Sequence, residues 1–238
     1  MKNIRRIVLL ILIMIFGCGC FYVNDYYHAS DLDIEAFEME KEVKMEMLDD
    51  ATIICYPDEP VAGMIFYPGG KVEYTSYIPL MKACASKGIL SVVVKMPFNL
   101  AVLNVNAAEE IVEKYPEIER WYMAEHSLGG TMAAAYIEEN IDKYEGLVLL
   151  GSYTTKNIED SKLKVLSIYG SEDLIMNREN YNENKKNLPE DMREEIIEGG
   201  NHSGFGMYGL QKGDGISSIS NEEQIEKTAD FISEFISE

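Results

Sequence analysis

A serine followed by two glycines stands near the middle of the chain, in residues 123–130, MAEHSLGG. An apolar run, 121–124, precedes it and a helix-like run, 131–137, follows it. This pattern predicts Ser127 at a sharp strand-to-helix turn, the layout of a nucleophile elbow with the motif G-x-S-x-G. Such a turn exposes the hydroxyl, and the N-terminus of the next helix directs N–H groups at the reaction centre.

One position departs from that motif, because Glu125 stands where the first glycine is expected. A small residue is wanted there, since strand and helix approach closely at the turn. We expect the glutamate to bend away or to find a partner. An elbow impaired by Glu125 is the alternative, and the serine pattern alone also fits an ordinary loop.

A glycine pair follows an earlier apolar strand, in the segment Pro68-Gly69-Gly70-Lys71. Glycines at such a place let backbone N–H groups face a ligand. We expect the N–H of Gly70 or Lys71, together with the N–H of Leu128, to form an oxyanion hole. A plain tight turn explains the glycines equally well when they are considered alone.

An acid and a base follow two later strands. Asp173 stands in Gly-Ser-Glu-Asp, where it could orient a histidine, with Glu172 as the nearest competitor and a simple turn as the alternative. His202 lies in a glycine-rich loop after the last strand and is the predicted base. His28 lies in the linker, and the side chain of His126 should point away from that of its neighbour Ser127.

The chain order Ser127, Asp173, His202 is that of α/β hydrolases. In this chemistry His202 takes the serine proton, Asp173 holds the imidazole tautomer, and water hydrolyses an acyl-enzyme. We expect no cofactor. A zinc site is not expected either, because the four cysteines form no C-x-x-C and the three histidines are scattered.

Short apolar strands alternate with helices through the rest of the chain, which predicts an α/β fold: a mostly parallel sheet with helices on both faces, an antiparallel N-terminal edge hairpin and no large lid. In such a sheet, sites form at the C-terminal ends of strands. The predicted strands are 43–47, 52–56, 62–67, 90–95, 121–124, 147–150, 165–169 and 194–197, and the predicted helices are 77–87, 107–114, 128–140, 178–187 and 222–237.

The charge is strongly negative, with a formal net charge of -20 over 238 residues. Three basic and no acidic residues precede Asp25, so the remainder is more acidic still. Such a surface repels nucleic acid and anionic lipid headgroups, which excludes nucleic-acid binding as the expected function. The length suits one domain with a substantial core.

The N-terminus is basic and then continuously apolar from Ile7 to Val23. It predicts a membrane anchor, a lipoprotein signal acylated at Cys18, or a cleaved signal peptide, with the anchor favoured. We expect residues 1–23 to tether, 24–42 to form an acidic helical linker, and 43–238 to form the domain. The positive-inside rule then places this domain outside the cytoplasm, at the cell membrane.

The chain resembles bacterial α/β hydrolase family 5, small serine hydrolases related to dienelactone hydrolase. The matching stretches are 65–73, 94–101, 126–130, 169–173 and 199–209. The resemblance implies the α/β-hydrolase fold, the triad Ser127, Asp173 and His202, and often a membrane-anchored N-terminus. It supplies no substrate, and Glu125 departs from the family pattern.

The expected function is therefore a serine hydrolase that cleaves a small ester, thioester or lactone. Its partners would be a small acyl substrate and, through the N-terminal segment, a membrane. An acyltransferase would use the same residues. A binding or surface protein that keeps the fold without the activity is the alternative from another class.

Overall fold

Eight strands form one mixed sheet in the order β1-β2-β4-β3-β5-β6-β7-β8. The computed structural model describes residues 2–30, 43–49 and 51–238. The strands are β1 (Lys44–Asp49), β2 (Thr52–Tyr56), β3 (Ala62–Tyr67), β4 (Ile89–Val94), β5 (Trp121–His126), β6 (Gly146–Leu150), β7 (Lys164–Gly170) and β8 (Arg193–Ile197). The described α-helices are α1 (Lys2–Asn24), α2 (Ile78–Ala85), α3 (Glu109–Lys114), α4 (Gly129–Glu139), α5 (Arg178–Asn184) and α6 (Asn221–Ser237).

The strand patterns explain the sheet. Every residue of β3, β4 and β5 is buried, as expected for parallel strands covered on both faces. The exposed β1 pairs antiparallel with β2, which itself pairs antiparallel with β4. From β4 to β8 all pairings are parallel. The predicted parallel sheet with an antiparallel edge hairpin is confirmed.

Helices cover both faces of the sheet, and each face has its own buried cluster. Leu80 of α2 and Ile232 of α6 belong to one cluster. Ile111 of α3 and Ile137 of α4 belong to the other. The sheet is thus fixed from both sides, which holds the loops at its edges in place.

Four predicted helices are shorter than expected, and the two largest differences, at 77–87 and 178–187, each have a proline near an end that differs. The predicted helix 77–87 begins as a 3-10 turn, Tyr74–Tyr77, and becomes α-helical at Ile78, with Pro79 in the first turn. Proline suits that turn because its missing N–H would have no partner there. The predicted helix 178–187 ends at Asn184 and tightens into a 3-10 turn, shortly before Leu188-Pro189.

The N-terminal helix is long and apolar enough, over Ile4–Asn24, to span a membrane or to serve as a signal sequence. The predicted helical linker 24–42 differs from the structure where it is described. Residues 25–30 are not helical, and Tyr27 instead forms a parallel bridge with Val72. Residues 31–42 lie outside the described residues. We call residues 25–30 the strap.

Candidate active site

The predicted site residues all follow strands at one edge of the sheet. Because β3, β5, β7 and β8 run parallel, their C-terminal ends meet at that edge. Gly70 follows β3, Ser127 follows β5, Asp173 follows β7 and His202 follows β8. This edge is where parallel α/β sheets form their sites.

Ser127 occupies a strained turn between β5 and α4. Its φ is 57°, in the left-handed region that costs a residue with a side chain about 1–3 kcal/mol. Two hydrogen bonds hold the turn: the Ser127 N–H donates to the Leu150 carbonyl at 3.1 Å, and the Ser152 hydroxyl donates to the Ser127 carbonyl at 2.9 Å. This is the backbone form that a nucleophile elbow requires.

Asp173 and His202 form a buried pair. Asp173 Oδ2 lies 2.8 Å from His202 Nδ1, and the side chains are 0% and 1% exposed. The other carboxylate oxygen, Oδ1, accepts the N–H groups of Ile175 and Met176 at 2.9 and 2.8 Å. Since the carboxylate accepts all three bonds, His202 carries a proton on Nδ1, and Nε2 is the ring nitrogen that this pair leaves unused.

His202 Nε2 is buried and has no hydrogen-bond partner among the described residues. Ser127 therefore does not bond to it in this state. Catalytic hydrogen bonds are often long in the resting enzyme and shorten when substrate binds. Ser127 and His202 line the same cavity of about 300 Å³, to which Leu128, Ile175 and Met176 contribute apolar surface.

A larger cleft of about 680 Å³ lies elsewhere, beside Leu188, Pro189 and Met192. Glutamate and lysine side chains line much of it, with no histidine, serine or cysteine. The smaller cavity at Ser127 is therefore the better candidate for chemistry.

The loop that carries His202 is held by residues that the sequence analysis missed. Asp214 accepts the N–H of His202 at 3.3 Å and both the N–H and the hydroxyl of Ser203, at 2.8 and 2.7 Å. Gln224, from α6, bonds both the N–H and the carbonyl of Asn201, at 3.0 and 2.8 Å. The only signal in the sequence is the Gly213-Asp214-Gly215 turn, which does not reveal its partners.

Gly151 was also missed, and it lies directly against the Asp173–His202 pair. A Cβ atom added there would lie 2.9 Å from His202 Nδ1 and 3.1 Å from Asp173 Oδ2. Its φ of 52° disfavours other residues as well. Gly151 directly follows β6, and a side chain at this position would displace the Asp173–His202 pair. Only glycine fits there.

The structure separates the two candidates for the second oxyanion-hole donor. The Lys71 N–H donates to the Asn99 carbonyl at 2.7 Å, so it is not available to a substrate. Gly70 packs against Leu128, since an added Cβ would lie 3.1 Å from Leu128 Cδ1. Within the described chain no loop carbonyl accepts from the N–H groups of Gly70 or Leu128. The geometry favours these two and corrects the inclusion of Lys71.

His126, next to the serine, is closer to the site than the sequence suggested. Its ring stacks against that of His202 with centroids 4.5 Å apart. His126 Nε2 lies 3.1 Å from the His202 carbonyl, which can only accept, so this nitrogen carries the proton. Burial, and secondarily the charge of His202, hold the pKa of His126 well below its usual range.

Tyr77 completes a hydrogen-bonded chain between two site loops. Its hydroxyl donates to His126 Nδ1 at 2.7 Å and accepts the Gly69 N–H at 3.1 Å. The chain therefore runs from Gly69, beside the oxyanion candidates, through Tyr77 and His126 to the backbone of His202. Neither tyrosine nor histidine is signalled by the elbow motif.

Glu125 neither bends into solvent nor pairs with a base. Its side chain is 0% exposed, and neither carboxyl oxygen forms a hydrogen bond of normal geometry among the described residues. Burial raises the pKa of Glu125 well above its usual range, although the nearby N–H groups of Ala134 and Ala133 and the Ser152 hydroxyl act in the opposite direction. Burial therefore favours the protonated, uncharged form of this carboxyl.

A model of the alpha/beta hydrolase family matches residues 63–226, and no curated protein matches the chain. Two solved structures share the fold. One is a "predicted CIB-like hydrolase" from Thermoplasma acidophilum, with a TM-score of 0.58, 16% identity, and coverage of 82% of this chain and 99% of that one. The other is TT1662 from Thermus thermophilus, with a TM-score of 0.60, 13% identity, and coverage of 83% and 99%.

Proposed function

Since the chain belongs to the alpha/beta hydrolase family, we propose that it is a serine hydrolase that cleaves a small ester, thioester or lactone. Membership supports a hydrolase-type function, and the confirmed α/β-hydrolase fold agrees with it. One observation carries the finer proposal. The Nε2 atom of a carboxylate-bound histidine has no hydrogen-bond partner among the described residues, and this histidine lines the same cavity as a serine held at positive φ.

In the proposed mechanism, His202 Nε2 takes the proton of the Ser127 hydroxyl as its oxygen attacks the carbonyl carbon. Asp173 keeps the imidazole in its tautomer and stabilises the imidazolium that forms. The N–H groups of Leu128 and Gly70 bind the oxyanion, and one such donor is worth about 3 kcal/mol in known cases.

The second half of the reaction reverses these proton transfers. The imidazolium gives its proton to the leaving alcohol or thiol, and Ser127 keeps the acyl group. Water then attacks the acyl carbon while His202 takes its proton. The bond between that carbon and Ser127 Oγ breaks, His202 returns the proton to Oγ, and the acid product leaves. An acceptor other than water would make the same site an acyltransferase.

We also propose that α1 tethers this domain to the cell membrane, with the domain on the extracytoplasmic side. The apolar length of Ile4–Asn24 and the three basic residues before the apolar run support this orientation. Intact mass of membrane-extracted protein distinguishes an uncleaved anchor from a chain acylated at Cys18.

A fluorophosphonate probe tests the proposal directly. We expect labelling of the full chain, abolished in Ser127→Ala and retained in Thr131→Val, because Thr131 carries another hydroxyl that lines the same cavity. A folded wild-type protein that stays unlabelled would contradict the enzyme and support a binding protein. If Glu125→Gly then restored labelling, the glutamate would be the cause of the impairment.

A further inference from the structure

The apolar helix α1 ends against a loop of the candidate site. Val23 and Asn24 line one pocket together with Phe98 and Asn99, and Lys71 Nζ lies 4.6 Å from the centre of the Tyr22 ring. Immediately after the helix, Asp25 pairs with Lys71 Nζ at 2.8 Å. Lys71 directly follows Gly70, a candidate oxyanion donor. The helix therefore ends beside the loop that carries this donor.

The strap fixes that position by bonding to the loop after β3 and to the loop after β8. The Tyr27 N–H donates to the Lys71 carbonyl at 2.8 Å, and the Tyr27 carbonyl accepts the Glu73 N–H at 2.9 Å. On the other side, the Ser30 N–H donates to the Met207 carbonyl at 2.8 Å. The helix is therefore followed by a short, bonded segment at the site, and no long free linker separates the two.

Exposed apolar side chains are concentrated around the same edge. Of the twelve large apolar side chains exposed in described residues 43–238, seven lie on loops that follow β4, β5, β7 and β8. We call these seven the rim: Phe98, Val102, Leu103, Leu128, Leu174, Leu210 and Ile216. Scattered exposed apolar residues are normal, but a group that surrounds one site indicates a binding surface.

We propose that the rim lies against the surface of the bilayer that holds α1, and that the substrate is the acyl ester of a membrane lipid. The position of α1 selects the occupant, because a spanning helix that ends beside Lys71 brings this edge of the sheet to the membrane. The substrate part rests on the proposed serine hydrolase, whereas the membrane contact does not.

The charge of the chain limits which bilayer fits. A net charge of -20 opposes binding to anionic lipids, so the contact must come from the helix and the apolar rim. A neutral acyl ester presented in a zwitterionic bilayer is therefore the matching substrate class, and dioleoylphosphatidylcholine vesicles are the suitable probe.

Tryptophan quenching tests the contact without reference to activity. The chain has one tryptophan, Trp121, which is 2% exposed, so the background is small. We expect doxyl-labelled phosphatidylcholine to quench the added fluorophore of Leu174→Trp in full-length protein reconstituted in these vesicles. Val61→Trp is the matched control, because Val61 is similarly exposed and directly precedes β3, at the opposite edge of the sheet. Equal quenching of Leu174→Trp and Val61→Trp refutes the contact between the rim and the bilayer. Failure of the protein to float with the vesicles in a density gradient refutes it as well.

Turnover of monooleoylglycerol in the same vesicles tests the substrate class. We expect the triple variant Val102→Ser, Leu174→Ser, Ile216→Ser to lose at least fivefold on vesicles and to stay within twofold on soluble 4-nitrophenyl acetate. The control Met47→Ser, Val61→Ser, Ile196→Ser, also exposed, should lose neither activity.

The outcomes separate the two proposals. Turnover of 4-nitrophenyl acetate that does not depend on Ser127 refutes the serine hydrolase. The membrane contact is then judged from the quenching result alone. Turnover that depends on Ser127, without hydrolysis of monooleoylglycerol or without an effect of the rim variant on vesicles, refutes the lipid substrate.

Discussion

His126 and His202 lie with stacked rings in the same site, and both are buried, yet their hydrogen bonds differ. His126 uses both ring nitrogens, one for Tyr77 and one for the backbone of His202. His202 uses only Nδ1 and leaves Nε2 without a partner. A buried polar atom without a partner costs about 1–3 kcal/mol, and in the proposed mechanism this nitrogen is the one that takes the serine proton.

Two buried carboxyl groups show the same contrast. Asp173 accepts three hydrogen bonds, one from His202 and two from backbone N–H groups. Glu125 has no hydrogen bond of normal geometry among the described residues, and burial raises its pKa because the charged form is poorly solvated there. The comparison shows that residue type alone does not distinguish the two carboxyl groups. Their hydrogen-bond partners distinguish them.

The largest expected effect comes from removing the charge that distinguishes Asp173. In Asp173→Asn, the amide no longer selects the Nδ1–H tautomer of His202, and comparable substitutions lower kcat about 10⁴-fold. Ester hydrolysis, measured with 4-nitrophenyl acetate, should fall by about this factor. Glu172→Gln changes the exposed neighbour and should stay within twofold; a large loss there would mean that the acid has been misassigned.

Gly151→Ala should break the pair without changing its chemistry. The added methyl would lie 2.9 Å from His202 Nδ1, and a shift of the imidazole by about 1 Å can cost about 100-fold in rate. The control is Gly209→Ala, which also has positive φ, 75°, but has nothing within 4 Å of the added atom. Equal losses in kcat from both variants would show that backbone strain, and not contact with the pair, is responsible.

Tyr77→Phe tests whether His126 acts by positioning. The change leaves His126 Nδ1 and the Gly69 N–H unpaired, so we expect kcat to fall about tenfold, or about 1.4 kcal/mol, with KM little changed. Tyr122→Phe removes a hydroxyl bonded to Arg120 at the far end of β5. It should lower the melting temperature and leave kcat unaltered. A similar drop in kcat for both variants would refute positioning.

The smallest effect concerns Glu125 and appears as a pH dependence. Burial raises the pKa of Glu125 in the folded chain. Below the ordinary pKa of 4.5 the carboxyl is protonated in both the folded and the unfolded state, so it does not change the free energy of unfolding. As the pH rises from there toward the folded-state pKa, only the unfolded chain ionises, and the folded state loses stability. Glu125→Gln cannot ionise. Its melting temperature relative to the wild type should therefore increase between pH 4 and pH 9, by differential scanning fluorimetry. A difference that stays constant with pH would show that Glu125 is ionised at neutral pH in the folded protein.

Most strands were predictable because each carries its own apolar pattern. The bounds of β2 and β3 agree with the prediction to the residue, and the loops after β5, β7 and β8 follow from the same pattern. The start of α2 and the end of α5 were less predictable, since prolines and local 3-10 turns decide them. The strap was predicted as helix, but hydrogen bonds to residues 71–73 override local preference there.

By itself, the sequence determined the sheet, the order of serine, acid and histidine, and the edge at which they meet. These follow from short-range periodicity and from the rule that parallel strands end together. Only the tertiary structure decided that the Lys71 N–H bonds to Asn99, that a side chain at Gly151 would meet the Asp173–His202 pair, and that Glu125 is buried with no hydrogen bond of normal geometry to the described residues. Those outcomes depend on atoms from segments distant in the chain, and no local pattern records which segments will touch.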